Sequence, residues 1–196
     1  MPATTRRFSD PLGGILYLDT SVLMCKVELD TNGGSPAQAI AFLEKIREMA
    51  RREEVALVCT DLVVNEMCFQ IVRQKLAPEI TLLQQEFKTN EKWWVALYRQ
   101  HPEVLARCQP EIDRFYEFLQ AYPLLVLSAR DLEGVLAAQA PHLAVRELMR
   151  QFYLLPTDAY HVVYSRLAGA DAIATMDPDF SRVDGLTVYV PASLCC

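Results

Sequence analysis

The stretch "GILYLDTSVLM", residues 14–24, decides the fold class of this chain. Its apolar run, residues 15–18, is short and does not alternate with polar residues, which is typical of a strand in a parallel sheet covered on both faces. Asp19 ends the run, and Thr20 or Ser21 can cap a following turn or helix. The stretch therefore predicts a buried strand that delivers an acid to the end of a sheet.

Similar apolar runs recur along the chain, separated by sequence with helical periodicity. They are "VALVCT" (55–60), "LLVLS" (124–128), "DAIATM" (171–176) and "LTVYV" (186–190). The intervening residues 37–54, 61–76, 129–140, 142–153 and 158–168 predict helices, and "TNGGSP" (31–36) predicts a loop. Strands that alternate with helices predict a three-layer α/β/α domain with a mostly parallel five-stranded sheet.

Residues 77–123 interrupt this alternation with a helical segment that breaks near Pro102 and Pro110. We therefore predict a single domain over residues 1–196, with a core of about 14–76 and 124–190 and an added helical hairpin at 77–123. Trp93, Trp94 and Tyr98 in this insertion could stack on nucleic-acid bases. The stronger interpretation is that these aromatic residues pack the hairpin onto the body.

Composition limits the class of protein. Hydrophobic residues make up 52% of the chain. The net charge is −6, so the chain lacks the excess of positive charge that is typical of proteins that coat nucleic acid. The six cysteines form no CxxC pair. The start, "MPATTRRFSDPLGG", lacks the apolar stretch of a signal peptide, and no run approaches the length of a membrane span. We expect a reduced, cytoplasmic, soluble protein with no membrane partner.

Four acids occupy positions where functional groups of such sheets collect. Asp19 and Asp177 follow the first and fourth predicted strands, while Glu66 and Asp158 lie on helices that follow the sheet. Each acid also has an ordinary interpretation. Asp19 can be an N-cap, Asp158 a first-turn acid and Asp177 the start of a turn. Glu66 can be an edge residue that reaches water.

Four carboxylates at one sheet edge would repel one another, so their clustering favours a divalent cation, and hard oxygen ligands suit Mg²⁺ or Mn²⁺. The three histidines (His101, His142 and His161) are far apart in sequence, which argues against zinc. Asp171 begins a strand at the opposite end and predicts a loop cap. Asp179 either shares the site or only shapes the turn. No GxGxxG, Walker A or GxSxG motif is present.

Three motifs in their order resemble the PIN domain nucleases, including the VapC-type toxin ribonucleases. They are "YLDTSVLM" (17–24), "NEM" (65–67) and "TDAYHVVYSRLAGADAIATMDPDF" (157–180). The last is the most specific, with an acid that opens a helix, His161 three residues later, a Gly-Ala-Asp strand entry, Thr-x-Asp and a final Phe. The resemblance implies a five-stranded parallel sheet and Mg²⁺- or Mn²⁺-dependent endonucleolytic hydrolysis of single-stranded RNA, commonly by a dimer.

The resemblance also assigns site residues. The acidic quartet corresponds to Asp19, Glu66, Asp158 and Asp177, with Asp179 as the alternative fourth acid and Ser21 and Thr175 as hydroxyls beside the metal. A role as the toxin of a toxin–antitoxin pair would add an antitoxin protein as partner. Two other hypotheses stay open: a metal-dependent DNA nuclease or phosphatase, and a non-catalytic interaction module.

Overall fold

The computed structural model of the chain describes residues 2–26, 36–128, 130–133 and 140–195, and it is built around one sheet. The strands are β1 (Thr4–Arg7), β2 (Gly14–Leu18), β3 (Val55–Thr60), β4 (Leu124–Leu127), β5 (Ala172–Ala174) and β6 (Thr187–Val190). Their order across the sheet is β1-β6-β5-β2-β3-β4, and each neighbouring pair is parallel. Strand β2, which precedes Asp19, therefore lies between β5 and β3 at the centre.

Helices cover both faces of this sheet, so the predicted three-layer α/β/α architecture is confirmed. They are α1 (Thr20–Met24), α2 (Pro36–Arg51), α3 (Asp61–Leu76), α4 (Ile80–Phe87), α5 (Trp94–Gln100), α6 (Gln109–Ala121), α7 (Pro141–Phe152) and α8 (Pro156–Leu167). Short 3₁₀ segments span Pro102–Cys108, Pro178–Arg182 and Ala192–Leu194. The predicted loop at 31–36 and the predicted helix at 129–140 lie largely outside the described residues. None of the described helices is long and apolar enough to cross a membrane.

The prediction of five strands was wrong by one, because β1 is a sixth strand at the edge of the sheet. All four of its residues are exposed, so no apolar pattern marks it in the sequence. It forms through backbone pairing with β6, in register from Thr4 opposite Thr187 to Arg7 opposite Val190. The backbone N–H of Phe8 extends the pairing by donating to the Val190 carbonyl at 2.9 Å.

The predicted insertion at 77–123 has a small hydrophobic core, to which the end of α3 contributes. The side chains buried there are Leu76, Leu83, Leu97, Val104 and Cys108. The segment is not helical throughout, because α4 ends at Phe87, the next residue, Lys88, is left-handed (φ 51°), and α5 begins only at Trp94. Trp94 and Tyr98 pack against the core of the insertion, whereas Trp93 is 76% exposed. Packing onto the body is observed for Trp94, whose ring centroid lies 5.6 Å from that of Phe69 on α3.

A tight approach at the start of β2 gives the first testable prediction. Gly14 has φ +72°, and a Cβ there would lie 2.2 Å from Oδ2 of Asp171. That oxygen accepts the backbone N–H of Ile15 at 2.7 Å, as expected for the cap predicted at Asp171. Gly14→Ala should therefore lower the free energy of unfolding by roughly 2–3 kcal/mol, the sum of left-handed strain and a displaced hydrogen bond.

Gly185→Ala is the matched control, because Gly185 has the same φ of +72° and a Cβ added there would have no atom within 4 Å among the described residues. It should lower the free energy of unfolding by only about 1–2 kcal/mol, the strain alone. Urea unfolding measures both values. Equal losses in the two variants would show that the Asp171 carboxylate does not restrict residue 14.

Candidate active site

The carboxyl edge of the sheet brings side chains from four elements together. Asp19 follows β2, and Thr175 follows β5, the strand beside it; Leu18 and Ala174 are partners in the register. The backbone N–H of Asp19 donates to the Ala174 carbonyl at 3.0 Å. Helices α3 and α8 supply Glu66 and His161 over the same edge, where His161 Nε2 lies 2.6 Å from Glu66 Oε2. The centre of the site is thus set by the order of the strands.

Asp19 is 5% exposed and divides its two oxygens between two roles. Its Oδ2 accepts from Ser21 Oγ at 2.5 Å, from Thr175 Oγ1 at 2.8 Å and from the Ser21 backbone N–H at 3.4 Å. Asp19 is therefore the N-cap of α1, as its ordinary interpretation predicts. Its Oδ1 lies 3.5 Å from His161 Nε2 and faces the site. Capping and a functional role are compatible because each uses a different oxygen.

Ser21 and Thr175 connect Asp19 to the turn that carries Asp177. Ser21 Oγ accepts the Met176 backbone N–H at 2.8 Å, and Thr175 Oγ1 accepts the Asp177 backbone N–H at 2.9 Å. Asp177 then accepts the Asp179 backbone N–H at 2.8 Å on Oδ1 and begins a 3₁₀ segment. These bonds fix the turn relative to β2, so the two hydroxyl groups hold the acids from both strands in one arrangement.

Asp158 lies in the first turn of α8 and has a buried oxygen, Oδ2, that no hydrogen-bond partner among the described residues satisfies. Burial, reinforced by the charges of Asp177 and Asp19, raises the pKa of Asp158 to about 6, although His161 partly offsets these effects. An unpaired carboxylate oxygen among other carboxylates is costly to keep in a protein. A bound cation would remove this cost.

A buried histidine links the two helices. His161 is 1% exposed; its Nδ1 lies 3.0 Å from the Tyr17 hydroxyl, which lies 3.1 Å from Thr60 Oγ1. On the other side of the imidazole, His161 Nε2 lies 2.6 Å from Glu66 Oε2. The Thr20 hydroxyl donates to the same oxygen, also at 2.6 Å. The result is a continuous row of hydrogen bonds from β3 through β2 and α8 to α3.

The charges in this row perturb one another. Burial acts to raise the pKa of Glu66, but the hydrogen bond and charge of His161 and the Thr20 hydroxyl together hold that pKa below its usual range. Burial acts to lower the pKa of His161, whereas Glu66, Asp19 and Asp158 raise it, and the net direction is upward. Imidazole and carboxylate therefore stabilise each other's charged forms.

His161 lies within this cluster, although it is not among the site residues predicted from the sequence, where it appears only as part of the third motif. A signal is present, since His161 follows Asp158 by three positions on one helix and so shares its face. The other two histidines do lie elsewhere. His101 stacks on Phe87 in the insertion, with ring centroids 4.3 Å apart, and His142 lies on α7.

The donor set fits a divalent cation. Among the described residues, single ligand atoms of Asp19, Glu66 and His161 all lie within 4.8 Å of one another. Asp158 interacts with this group, because the charges of Asp19 and His161 shift its pKa, and the charge of Asp177 acts on the same carboxyl. Carboxylate oxygens predominate and suit Mg²⁺ or Mn²⁺. Asp179 forms an ion pair with Arg182 at 2.7 Å, which favours a role in shaping the turn.

The chain matches a known family of proteins. The sequence profile of the PIN domain matches residues 16–186, so the chain belongs to the PIN domain family. Members of this family are generally nucleases and use divalent metals. A similar solved structure is that of VapBC2 from Rickettsia felis bound to a DNA fragment from their promoter; it is 13% identical, and the match covers 89% of this chain and 96% of that chain with a TM-score of 0.48. No curated protein matches the chain in sequence.

Proposed function

We propose that this PIN domain protein is an Mg²⁺- or Mn²⁺-dependent endoribonuclease that hydrolyses phosphodiester bonds of single-stranded RNA. The observation that carries the metal dependence is the buried Oδ2 of Asp158, which has no hydrogen-bond partner among the described residues and belongs to a carboxyl whose pKa is raised to about 6. The choice of RNA follows the resemblance of the three motifs to the ribonucleases of the family.

The site residues have different proposed roles in binding the cation. We assign Asp19, Asp158 and Asp177 to hold the cation, with Ser21 and Thr175 as the hydroxyls that orient Asp19 and the turn. When bound there, Mg²⁺ or Mn²⁺ lowers the pKa of a coordinated water and stabilises negative charge on the phosphate. The resemblance assigns all four acids of the quartet as metal ligands, and this assignment stays a prediction.

Glu66 has a different part, because its environment fixes one oxygen only. Oε2 is held by the Thr20 hydroxyl and by His161. Oε1 then remains to ligate the metal or to accept a hydrogen bond from the attacking water and orient it. His161 acts through Glu66 and is therefore a positioning residue.

The resemblance to VapC-type toxins extends the proposal to partners. On that basis we infer a cytoplasmic toxin, active as a homodimer and paired with an antitoxin protein. Co-purification with the product of a neighbouring reading frame tests the antitoxin, and sedimentation equilibrium tests the dimer.

Metal removal gives the second prediction. With Mn²⁺ present, the protein should cleave single-stranded RNA oligonucleotides internally, and excess EDTA should slow cleavage by at least about a hundredfold, since metal catalysis supplies several kcal/mol. Readdition of Mn²⁺ should restore the rate. Gel analysis of end-labelled substrates measures the cleavage.

A panel of substrates separates this proposal from its alternatives. Faster cleavage of single-stranded DNA, or hydrolysis of p-nitrophenyl phosphate alone, would replace the ribonuclease by a DNA nuclease or a phosphatase. Failure to cleave any of them, together with failure to bind Mn²⁺ in calorimetry, would identify a non-catalytic module.

A further inference from the structure

A cavity of about 380 Å³ lies beside the acidic site, between α3 and α8. It lies at the carboxyl ends of β3 and β4, where Thr60 and Leu127 line it. Its walls include Asp61 and Asn65 of α3, Tyr160 and Tyr164 of α8, and Leu132. The volume falls in the range of small-molecule sites. No role in the chemistry proposed above involves these wall residues.

The cavity is connected to the acidic site through shared elements. Thr60 lines the cavity and also contacts the Tyr17 hydroxyl, which contacts His161. Along the chain, Asn65 precedes Glu66, and Tyr160 precedes His161. One step along a helix turns the side chain by about 100°. Glu66 and His161 contact each other from one face of α3 and one face of α8. The cavity therefore lies on the adjoining face of each helix.

The lining of the cavity selects for a flat, uncharged ligand. The rings of Tyr160 and Tyr164 lie with centroids 5.8 Å apart and an interplanar angle of 29°, and Leu127 and Leu132 add apolar surface. Aromatic faces of this kind stack on nucleobases. Among the described residues that line the cavity, none is Lys or Arg, and Asp61 is an acid, so a phosphate group is a poor fit.

Helix α3 places a carboxylate and an amide on one wall of the cavity. Asp61 and Asn65 are four residues apart on α3 and so lie on one face of that helix. A carboxylate accepts two parallel N–H bonds, and guanine presents two neighbouring N–H donors on its Watson–Crick edge. Asn65 offers a further amide that can donate or accept.

We propose that this cavity is a nucleobase subsite, which holds one base of the RNA strand next to the scissile phosphate and favours guanine through Asp61. The strand would then place its phosphate over the acids while the flanking base stacks against Tyr160. This inference rests on the proposed ribonuclease function and adds a determinant of sequence preference to it.

Cleavage and binding by two wall variants test the subsite, which gives the third prediction. Tyr160→Ala should lower kcat/KM for single-stranded RNA about tenfold, and Tyr160→Phe, which keeps the ring, should retain the wild-type value within about twofold. Asp61→Asn should lower kcat/KM about tenfold for oligonucleotides with guanine beside the cut and leave the other three bases within about twofold. Tyr116→Ala on α6, at an exposed tyrosine, is the matched control and should cleave like the wild type.

Metal affinity separates this subsite from a general defect. Calorimetric Mn²⁺ binding should be the same in Tyr160→Ala and the wild type, while the Kd of Tyr160→Ala for an RNA oligonucleotide, measured in an Asp158→Asn background, should rise about tenfold. If both wall variants cleaved RNA at the wild-type rate and with the wild-type base preference, the subsite alone would be overturned. Absence of metal-dependent RNA cleavage in the wild type would overturn the ribonuclease and the subsite together.

Discussion

Asp158→Asn should strongly slow RNA cleavage and at the same time stabilise the metal-free protein. Loss of a carboxylate that holds the cation is expected to slow cleavage by on the order of a thousandfold, since about 4 kcal/mol of transition-state stabilisation is lost. In EDTA the same change relieves repulsion from Asp177 and Asp19 and should raise the free energy of unfolding by roughly 1 kcal/mol, after allowance for solvent screening at this half-buried side chain.

The two opposite effects make this prediction specific. A residue needed only for folding would lose activity and stability together, whereas a metal ligand loses activity and gains stability when the metal is absent. Initial rates with Mn²⁺ and urea unfolding with EDTA measure the pair. Asp113→Asn is the control for removal of an acid, because Asp113 lies on α6 in the insertion, where its carboxylate bonds only to Gln109 among the described residues. Unchanged cleavage by Asp158→Asn would refute the proposed mechanism.

His161→Ala should be the most destabilising change at the site. It removes the donor to Glu66 and leaves the Tyr17 hydroxyl without its imidazole partner in a position that is 1% exposed. Breaking a buried charge pair on one side costs about 3 kcal/mol of stability, and loss of an orienting group lowers metal affinity by about 10- to 100-fold. Urea unfolding and Mn²⁺ calorimetry measure these effects.

A conservative variant keeps this prediction testable even where the alanine variant unfolds. The side-chain amide of His161→Gln can reach the position of Nε2 and donate to Glu66, so about half of the lost stability should return. His142→Ala, at an exposed position on α7, should behave like the wild type. Equal destabilisation by the Ala and Gln variants would show that the hydrogen bond to Glu66 does not hold α3 and α8 together.

The parts of this site that sequence could predict are those that depend on strand order. Asp19 and Asp177 follow apolar runs, and parallel strands place their carboxyl ends at one edge, so the meeting of these acids follows from the pattern. Asp158 and Glu66 are predicted less directly, from their place on helices that follow the sheet and from the motifs that contain them. Their position over the sheet edge depends on how α3 and α8 pack, which no local periodicity specifies.

Other parts depend on contacts between distant elements and leave no local pattern. Tyr17 lies within an apolar run and looks like any core aromatic residue, yet its hydroxyl joins Thr60 to His161. The cavity beside Tyr160 likewise exists only when α3 and α8 pack on the same edge of the sheet. Strand β1 is not predictable from the sequence for a related reason, because its residues contribute backbone pairing and no buried side chains.

Strand β1 also has a consequence for the solubility of the protein. The strand that it covers, β6, is buried along Val188–Val190, and an apolar strand with open N–H and C=O groups is a template for intermolecular pairing. Arg6 and Arg7 place two positive charges along the outer rim of the sheet, which discourages a second molecule from adding its own strand there. Strand β1 thus covers the apolar edge of β6 and disfavours aggregation through intermolecular strand pairing.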